Sequence, residues 1–182
     1  MIILYFHIPQ LADYMLPTRE WLNDMDNYFK VIPIVTPKGQ NRMYEGLVEN
    51  WNKGEDIVIC GQDNVGNLSM LLEYEKCPEL ICSNPCLMYS KSLGFDGLKQ
   101  NMISKDSNGS SFLHEPDSTR SYCNWILGTG LSRIRKEVQE KIDLTEQPFH
   151  FQNFDYMLSK RFRENGINKY HLHYPIHEHN KK

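Results

Sequence analysis

Short β-prone segments alternate with amphipathic helical segments through the first 82 residues, and this order constrains the fold more than any other feature. The β-prone segments, apolar and rich in β-branched or aromatic side chains, are residues 2–8, 30–35, 56–60 and 80–82. The helical segments, with apolar side chains three or four positions apart, are residues 17–28, 42–52 and 68–76. Right-handed crossovers between such strands make them parallel. The sequence therefore predicts an α/β fold, with a mainly parallel central sheet flanked by helices.

Composition narrows the classes of partner. The chain has 182 residues, a formal net charge of −3 and a pI near 6.2. A general binder of nucleic acid or of anionic membranes needs a concentrated basic face, so neither partner is expected. No apolar run approaches the roughly 20 residues that span a bilayer, so no transmembrane segment is predicted. We expect one cytoplasmic domain over residues 1–182, and the sequence leaves its oligomeric state open.

The cysteine pattern favours reduced thiols. Five cysteines are present, and Cys77, Cys82 and Cys86 are spaced C-x4-C and C-x3-C. This spacing differs from the paired C-x2-C of a zinc ribbon. Buried, reduced thiols are the favoured interpretation. A disulfide from Cys82 to Cys86 or to Cys77 is the alternative.

The second half of the chain is less regular. Residues 104–121 are polar and are predicted to form a mobile loop. Residues 122–127 are strand-like, and a helix is predicted from Ser132 to Ile142 with Arg133 on its wet face. Another helix is predicted over residues 154–164, and a histidine-rich segment, residues 171–182, closes the chain.

The residues after the third strand are the first candidate site. Ligands of open parallel sheets bind beyond the carboxyl ends of the strands. Gln62 and Asp63 follow the buried strand directly. A carboxylate there can hold Mg²⁺ or Mn²⁺ against a diphosphate, because hard cations prefer oxygen ligands. The alternative is that Asp63 only forms a turn or caps the next helix.

The terminal histidines are the second candidate. His171 and His173 share one face of an extended chain, and His177 and His179 repeat the arrangement. Because imidazole binds transition metals, His173 and His177 are candidate ligands to the cation held by Asp63. The alternative is a solvated, frayed tail.

Two further features suit transfer chemistry. The turn Gly128-Thr129-Gly130 allows close backbone approach to a sugar or phosphate, or is simply a tight turn. Asp155 lies in the first turn of a helix, where the macrodipole favours a carboxylate in any case. If it faces the cleft, it can deprotonate a substrate hydroxyl.

Three residues after the first two strands complete the predicted donor site. Arg42 is placed to pair with a phosphate, although an ordinary surface arginine is the alternative. His7 and Pro9 lie in the loop after the first strand, where a nucleotide base can stack.

Six segments, in this order, resemble GT-A type glycosyltransferases, particularly the small forms of phages and archaeal viruses. They are HIPQLADY, TPKGQNRMYEGLVENW, EDIVICGQDNV, WILGTGLSRIRKEV, FDYMLSKRFRENG and HLHYPIHEH. They run through most of the chain and leave residues 90–121 unmatched. The resemblance implies a Rossmann-like GT-A domain that moves a hexosyl or similar sugar from a nucleotide-sugar donor to an acceptor hydroxyl with a divalent metal. The acceptor (glycan, protein or small molecule) is left open.

The resemblance also implies roles for single residues. Asp63 matches the last acidic residue of a D-x-D-like metal motif, and Gly61 stands where an acidic residue is common. Gly128-Thr129-Gly130 resembles the glycine-containing loop near the donor sugar and the acceptor. Asp155 resembles the base of inverting members, and the terminal histidine segment resembles the late strand that supplies a metal ligand.

Three alternatives follow from the same features. Because Gly61 replaces a carboxylate, the domain can be a catalytically degenerate binder of a nucleotide. The terminal histidines are also compatible with a metal hydrolase built on a histidine cluster. A structural or interaction domain with a solvated tail is the third alternative.

Overall fold

The computed structural model describes residues 1–7, 16–36, 42–61, 64–89, 97–126, 130–145, 154–174 and 178–179. Its helices are α1 (Leu16–Met25), α2 (Arg42–Asn50), α3 (Leu68–Lys76), α4 (Lys136–Gln139) and α5 (Phe154–Glu164). Its strands up to residue 100 are β1 (Ile2–His7), β2 (Lys30–Val35), β3 (Ile57–Cys60), β4 (Asn64–Val65), β5 (Ile81–Asn84), β6 (Leu87–Tyr89) and β7 (Leu98–Gln100). The later strands are β8 (Met102–Lys105), β9 (Ser111–Leu113), β10 (Tyr122–Cys123), β11 (Trp125–Ile126), β12 (Leu131–Ile134), β13 (Tyr170–Leu172) and β14 (Glu178–His179).

Seven strands form the central sheet, in the order β10-β13-β5-β12-β3-β1-β2. The strands β1, β2, β3, β5 and β13 run in one direction, and β10 and β12 run antiparallel to their neighbours. The prediction of a mainly parallel sheet flanked by helices is confirmed, and the sheet is mixed. The fold is compatible with the Rossmann-like class.

Alternating side chains of the central strands build two apolar layers. In β1, Leu4 and Phe6 pack with α2, α4 and α5, whereas Ile3 and Tyr5 pack with α1 and α3. Because successive side chains of a strand point to opposite faces, helices cover both faces. Every side chain of β3 is buried, as its uninterrupted apolar sequence predicts for a central strand.

The helix predicted from Ser132 to Ile142 is wrong over its first turn. Leu131–Ile134 is strand β12, which lies between β3 and β5 and pairs antiparallel with both. Only Lys136–Gln139 is helical. Ile134, Val138 and Ile142 are all buried, as their spacing predicts, but they lie in β12, in α4 and in the segment after α4.

Arg133 is buried in the sheet and does not lie on a wet face. Its guanidinium pairs with Asp56 Oδ2 at 3.1 Å and donates to the carbonyl of Glu79. Asp56 also accepts from the backbone N–H of Lys136 at 2.9 Å. The pair therefore ties the start of β3 to β12 and to the first turn of α4.

The segment predicted as an irregular loop contains a hairpin. Strands β8 and β9 pair antiparallel around a turn in which Asp106 Oδ1 accepts from the N–H groups of Asn108 and Ser110. The polar residues that suggested a loop supply this turn. The predicted mobility of residues 104–121 stays a prediction.

The segment predicted as one strand over residues 122–127 divides. Tyr122–Cys123 joins the central sheet beside β13, and Trp125–Ile126 pairs with β8 in the small sheet β11-β8-β9. Asn124 lies between them and its Oδ1 accepts from the N–H of Lys105 at 2.8 Å. This division joins the hairpin to the central sheet.

The predicted reduced state of the cysteines agrees with the structure, in which all five are free and buried. Among the described residues, no helix is both long and apolar enough to cross a membrane.

Replacing the buried Arg133 with alanine should destabilise the fold by about 3 kcal/mol, because Asp56 then loses its charged partner at the edge of the core. The Arg133 side chain is 1% exposed. The matched control is Arg135→Ala two residues later, whose side chain is 31% exposed and pairs with Glu137. It should cost less than about 1 kcal/mol. Urea unfolding of both variants measures the difference, and equal losses would contradict the role of the buried pair.

Stability should fall in mild acid because of His114, a buried residue directly after β9. Burial first, and then the charge of Arg120, lower the pKa of His114 from 6.5 to about 4. Between these values the unfolded chain binds a proton that the folded chain excludes, so the free energy of unfolding decreases as the pH falls. From pH 7 to pH 5 this amounts to at most about 2 kcal/mol.

Urea titrations at both pH values check this prediction. His114→Gln should remove the His114 component of the pH dependence. Ser104→Ala is the control, since it deletes the hydroxyl that lies 2.7 Å from His114 Nε2 but keeps the imidazole. An unchanged pH slope in His114→Gln would show that another group titrates.

Candidate functional site

The carboxyl ends of β1 and β2 are joined at one edge of the central sheet. Thr36, directly after β2, donates from its backbone N–H and from its hydroxyl to the carbonyl of His7, at 2.8 and 2.9 Å. The His7 ring stacks on Tyr5, with centroids 5.1 Å apart and planes 10° apart. These contacts fix His7 at the end of the first strand, where the sequence predicts the donor base.

The surroundings of the His7 imidazole favour its neutral form. Burial, and then the positive charge of Arg19, lower its pKa from the ordinary value. A neutral ring can stack on a heterocycle or exchange one hydrogen bond without excluding a cation from the same edge.

The end of β3 is tied to the start of β12 by two hydrogen bonds to one carbonyl. The Gly130 oxygen accepts from the Gly61 N–H at 3.4 Å and from Asn64 Nδ2 at 3.1 Å. Gly130 has a φ of 44°, in the left-handed region that favours glycine. Gly61 and Asn64, which flank Gln62 and Asp63 in the chain, are therefore both joined to Gly130, the last residue of the Gly128-Thr129-Gly130 turn.

A buried hydrogen-bond network holds β12 in place behind this junction. The carbonyl of Leu131 accepts from the hydroxyls of Tyr74 and Ser83, at 2.7 and 2.9 Å. The Tyr74 oxygen in turn accepts from the N–H of Asn84 at 2.9 Å. Burial raises the pKa of Tyr74 well above its usual value, so the phenol stays a donor.

The C-terminal segment returns to the same junction. Glu178 pairs with Val65 and His179 with Asn64 in the antiparallel ladder of β4 and β14. Val65 and Asn64 are the residues that follow Asp63 in the chain. The backbone of residues 178–179 thus runs beside β4, the strand that begins directly after Asp63 in the chain.

The start of α5 lies near the end of β1. The Phe154 ring packs against Phe6, with centroids 6.3 Å apart, and Phe6 precedes His7. Asp155 is in the first turn of this helix and is half-buried. Its predicted position in a helical first turn is confirmed, and the Phe154 contact puts that turn near the end of β1.

His173 lies beside a carboxylate and two cysteine sulfurs. Its Nδ1 is 3.6 Å from Glu73 Oε2, and it can contribute a ligand atom within 4.8 Å of the Cys77 and Cys82 sulfurs. Strands β5 and β12 separate β13 from β3, which puts about 14 Å between their backbones. The prediction that His173 shares a cation with Asp63 stays a prediction, because Asp63 lies outside the described residues.

Several predicted residues fall outside the described part of the chain: Pro9, Gln62, Asp63, Gly128, Thr129 and His177. Arg42 is the first residue of α2, and only its backbone is described.

Sequence reasoning missed the polar residues that lock the edge, chiefly Asn64, Tyr74 and Ser83. The position of Asn64 shortly after a predicted strand could have identified it. The roles of Tyr74 and Ser83 depend on β12, which the sequence analysis assigned to a helix.

Comparison with known proteins adds information on the fold. Protein A197 from STIV superimposes with a TM-score of 0.57 at 15% identity, over 95% of this chain and 82% of that chain. A CMP:2-keto-3-deoxy-manno-octonic acid synthetase complexed with CTP superimposes with a TM-score of 0.44 at 10% identity, over 94% of this chain and 88% of that one. No protein-family model and no curated protein sequence matches the chain.

At these identities the first likeness concerns the fold, and the second is too weak to support a statement about function. The class defined so far is a mixed α/β domain, compatible with a Rossmann-like fold, whose β1, β3 and β12 ends meet at one polar edge.

Asn64→Ala should lower the free energy of unfolding by about 1.5 kcal/mol, because the buried amide no longer donates to Gly130. The matched control is Asn27→Ala, an exposed asparagine whose Nδ2 donates to the Asp24 carbonyl at the same 3.1 Å. The control should change stability by less than about 0.5 kcal/mol. Urea unfolding compares them, and a loss no larger than the control's would show that this bond does not hold the junction.

Proposed function

We propose that the protein is a metal-dependent GT-A type glycosyltransferase that uses a nucleotide-sugar donor. The observation that carries the proposal is the pairing of Asn64–Val65 with Glu178–His179. This pairing puts residues 178–179 beside residues 64–65, which directly follow Asp63 in the chain. Ligands of such folds bind at this end of the sheet. In this proposal Asp63, directly before the paired Asn64, and His177, directly before the paired Glu178, supply a carboxylate and an imidazole to one cation.

The donor nucleotide lies across the ends of β1 and β2 in this proposal. The neutral His7 ring and the loop that contains Pro9 face the base, and Arg42 at the start of α2 pairs with a phosphate. The Gly128-Thr129-Gly130 turn lets the backbone approach the sugar closely, and the left-handed Gly130 supports that assignment.

A divalent cation fits the donor set assigned to this edge. Asp63 supplies an oxygen ligand and His177 an imidazole, a combination suited to Mn²⁺ and also open to Mg²⁺ through the carboxylate. When bound, the ion neutralises charge on the leaving diphosphate. Gly61 contributes no carboxylate. Metal binding at this site therefore depends more strongly on Asp63 than it would if two carboxylates were present.

Asp155 is the proposed general base. It accepts the proton of the acceptor hydroxyl as that oxygen bonds to the anomeric carbon, while the bond from the anomeric carbon to the diphosphate breaks. The half-buried position of Asp155 in the first turn of α5, one residue from the Phe154–Phe6 contact, supports the role. Displacement by direct attack inverts the anomeric centre.

The degenerate binder is the second candidate, and Gly61 is the observation that favours it. It predicts nucleotide binding without transfer. A hydrolase built on four histidines is disfavoured, because His171 and His173 lie beside the sulfur atoms of Cys77 and Cys82.

A thermal-shift panel of nucleoside diphosphates and nucleotide-sugars, with and without Mn²⁺, tests the donor site. One nucleotide series should raise Tm by several degrees and only when the metal is present, because ligand-linked stabilisation grows with occupancy. Asp63→Asn should abolish the metal-dependent part. The control is Asp106→Asn in the β8–β9 turn, which should keep it. A panel without any shift would reject the donor site.

Asp155→Asn should lower transfer of the sugar by 10²–10⁴-fold, roughly the contribution of a general base, with donor affinity within about threefold. Steady-state transfer and donor titrations measure the two quantities. Glu164→Gln at the other end of α5 is the control and should change neither, since its exposed carboxylate pairs with Lys160. Equal losses in affinity and turnover would remove the base role, and nucleotide binding without any transfer in the native protein would favour the degenerate binder.

A further inference from the structure

Two cysteines and two histidines converge on the α3 side of the central sheet, away from the proposed donor site. Cys77 ends α3, Cys82 lies in β5, and His171 and His173 lie in and directly after β13. The metal-ligating atoms of Cys77, Cys82 and His173 all lie within 4.8 Å of one another. Nδ1 of His171 is 3.3 Å from the Cys77 sulfur, and the two imidazole centroids are 4.6 Å apart.

We propose that Cys77, Cys82, His171 and His173 form a tetrahedral zinc site. Two thiolates and two imidazoles are a structural zinc donor set, with bonds of about 2.3 Å to sulfur and about 2.05 Å to nitrogen. Tetrahedral bonds of those lengths separate sulfur from nitrogen by about 3.5 Å. The 3.3 Å between the Cys77 sulfur and His171 Nδ1 is therefore close to the sulfur–nitrogen distance of such a site. Small movements of the other two side chains complete the tetrahedron.

The backbone already holds the four ligands in place. His171 lies directly opposite Cys82 in the parallel pairing of β13 with β5. The N–H of His173 donates to the carbonyl of Ser83 at 2.9 Å, which fixes the residue after the strand. The Cys77 N–H caps α3 by donating to the carbonyls of Glu73 and Tyr74. A site whose ligands come from a helix end and two paired strands needs little reorganisation to bind a metal.

One ring nitrogen of His173 indicates that a ligand belongs at this place. Its Nε2 is buried and makes no hydrogen bond within the described part of the chain. Its Nδ1 faces the Glu73 carboxylate at 3.6 Å, an arrangement that favours the proton on Nδ1 and leaves the Nε2 lone pair free for a metal. Buried polar atoms are normally satisfied, so the zinc ion accounts for an atom that the protein alone leaves without a partner.

The donor set selects against the cation of the proposed transferase. Sulfur and imidazole prefer zinc, whereas manganese and magnesium prefer oxygen ligands. Zn²⁺ balances the charge of two thiolates, which makes their burial tolerable: Cys82 is fully buried and Cys77 is 6% exposed. The zinc site is therefore structural, joining α3, β5 and β13, and it is independent of the glycosyltransferase proposal.

Metal analysis of the purified full-length chain tests the site. After supplementation with Zn²⁺ and removal of loose metal, the native chain should hold about one zinc ion. The double variant Cys77→Ser/Cys82→Ser should hold less than about 0.2. Cys86→Ser/Cys123→Ser is the matched control, because it removes two other buried thiols and should keep the full zinc content. Zinc below about 0.2 per native chain, or full zinc in the first variant, would overturn the proposal.

A second measurement needs no variant, in case the double substitution fails to fold. Co²⁺ added to the native, metal-free chain should give the visible bands of tetrahedral cobalt and a thiolate-to-cobalt charge-transfer band in the near ultraviolet. Zinc should also protect two of the five thiols from modification, and chelation should lower Tm by about 5 °C or more. Folded protein without the charge-transfer band, or with Cys77 joined to Cys82 as a disulfide, would exclude the site.

Discussion

The insertion of β12 between β3 and β5 is the constraint on which the rest of the structure depends. Without it, the described sheet would divide into β2-β1-β3 and β5-β13-β10, since β12 alone bridges the two sets. The strand runs against its neighbours and contributes Arg133, whose buried guanidinium pairs with Asp56. The same strand begins at Leu131, directly after Gly130, so a single insertion holds the sheet together and lies beside the candidate site.

The elements predicted well are those whose signal is local. Strand β2 and helices α3 and α5 have the bounds that apolar spacing predicts, because periodicity within ten residues decides both. Strand β12 was missed because Ile134, Val138 and Ile142 are four positions apart and imitate one buried helical stripe. Ile134 lies in a strand, Val138 in a short helix and Ile142 in the irregular segment after that helix. Pairing between distant strands decides this, and spacing along one segment does not report it.

The candidate site was found by topology and not by residue type. The rule that ligands lie beyond parallel strand ends directs attention to His7, Thr36 and Gly61, and those residues do lie at the edge. The sulfur cluster escaped because its members are far apart in sequence: Cys77 and His171 are 94 positions apart. The spacing of the cysteines differs from that of a zinc ribbon, so it did not indicate a zinc site. The spacing of the histidines suggested instead that they share a cation with Asp63. The pairing of β13 with β5 brings the histidines to the cysteines.

The proposed oxygen-ligand site and the proposed sulfur-ligand site occupy separate parts of the sheet. The first is assigned to the end of β3, and the second to α3, β5 and β13, with β12 between them. Two metals of different chemical character can then bind without competing, since thiolate ligands retain zinc and carboxylate ligands accept manganese. Such a division would let one metal be exchanged during turnover while the other maintains the fold.

The late position of β12 in the chain has a consequence for the order of synthesis. Residues 57–60 form a wholly apolar strand, yet the strand that covers one of its edges begins at residue 131. At translation rates of roughly 5–20 residues per second, that edge waits on the order of 4–14 s for its partner. An uncovered apolar edge invites pairing between nascent chains. The ribosome-bound intermediate is thus a stage at which this edge of β3 is open to pairing with another chain.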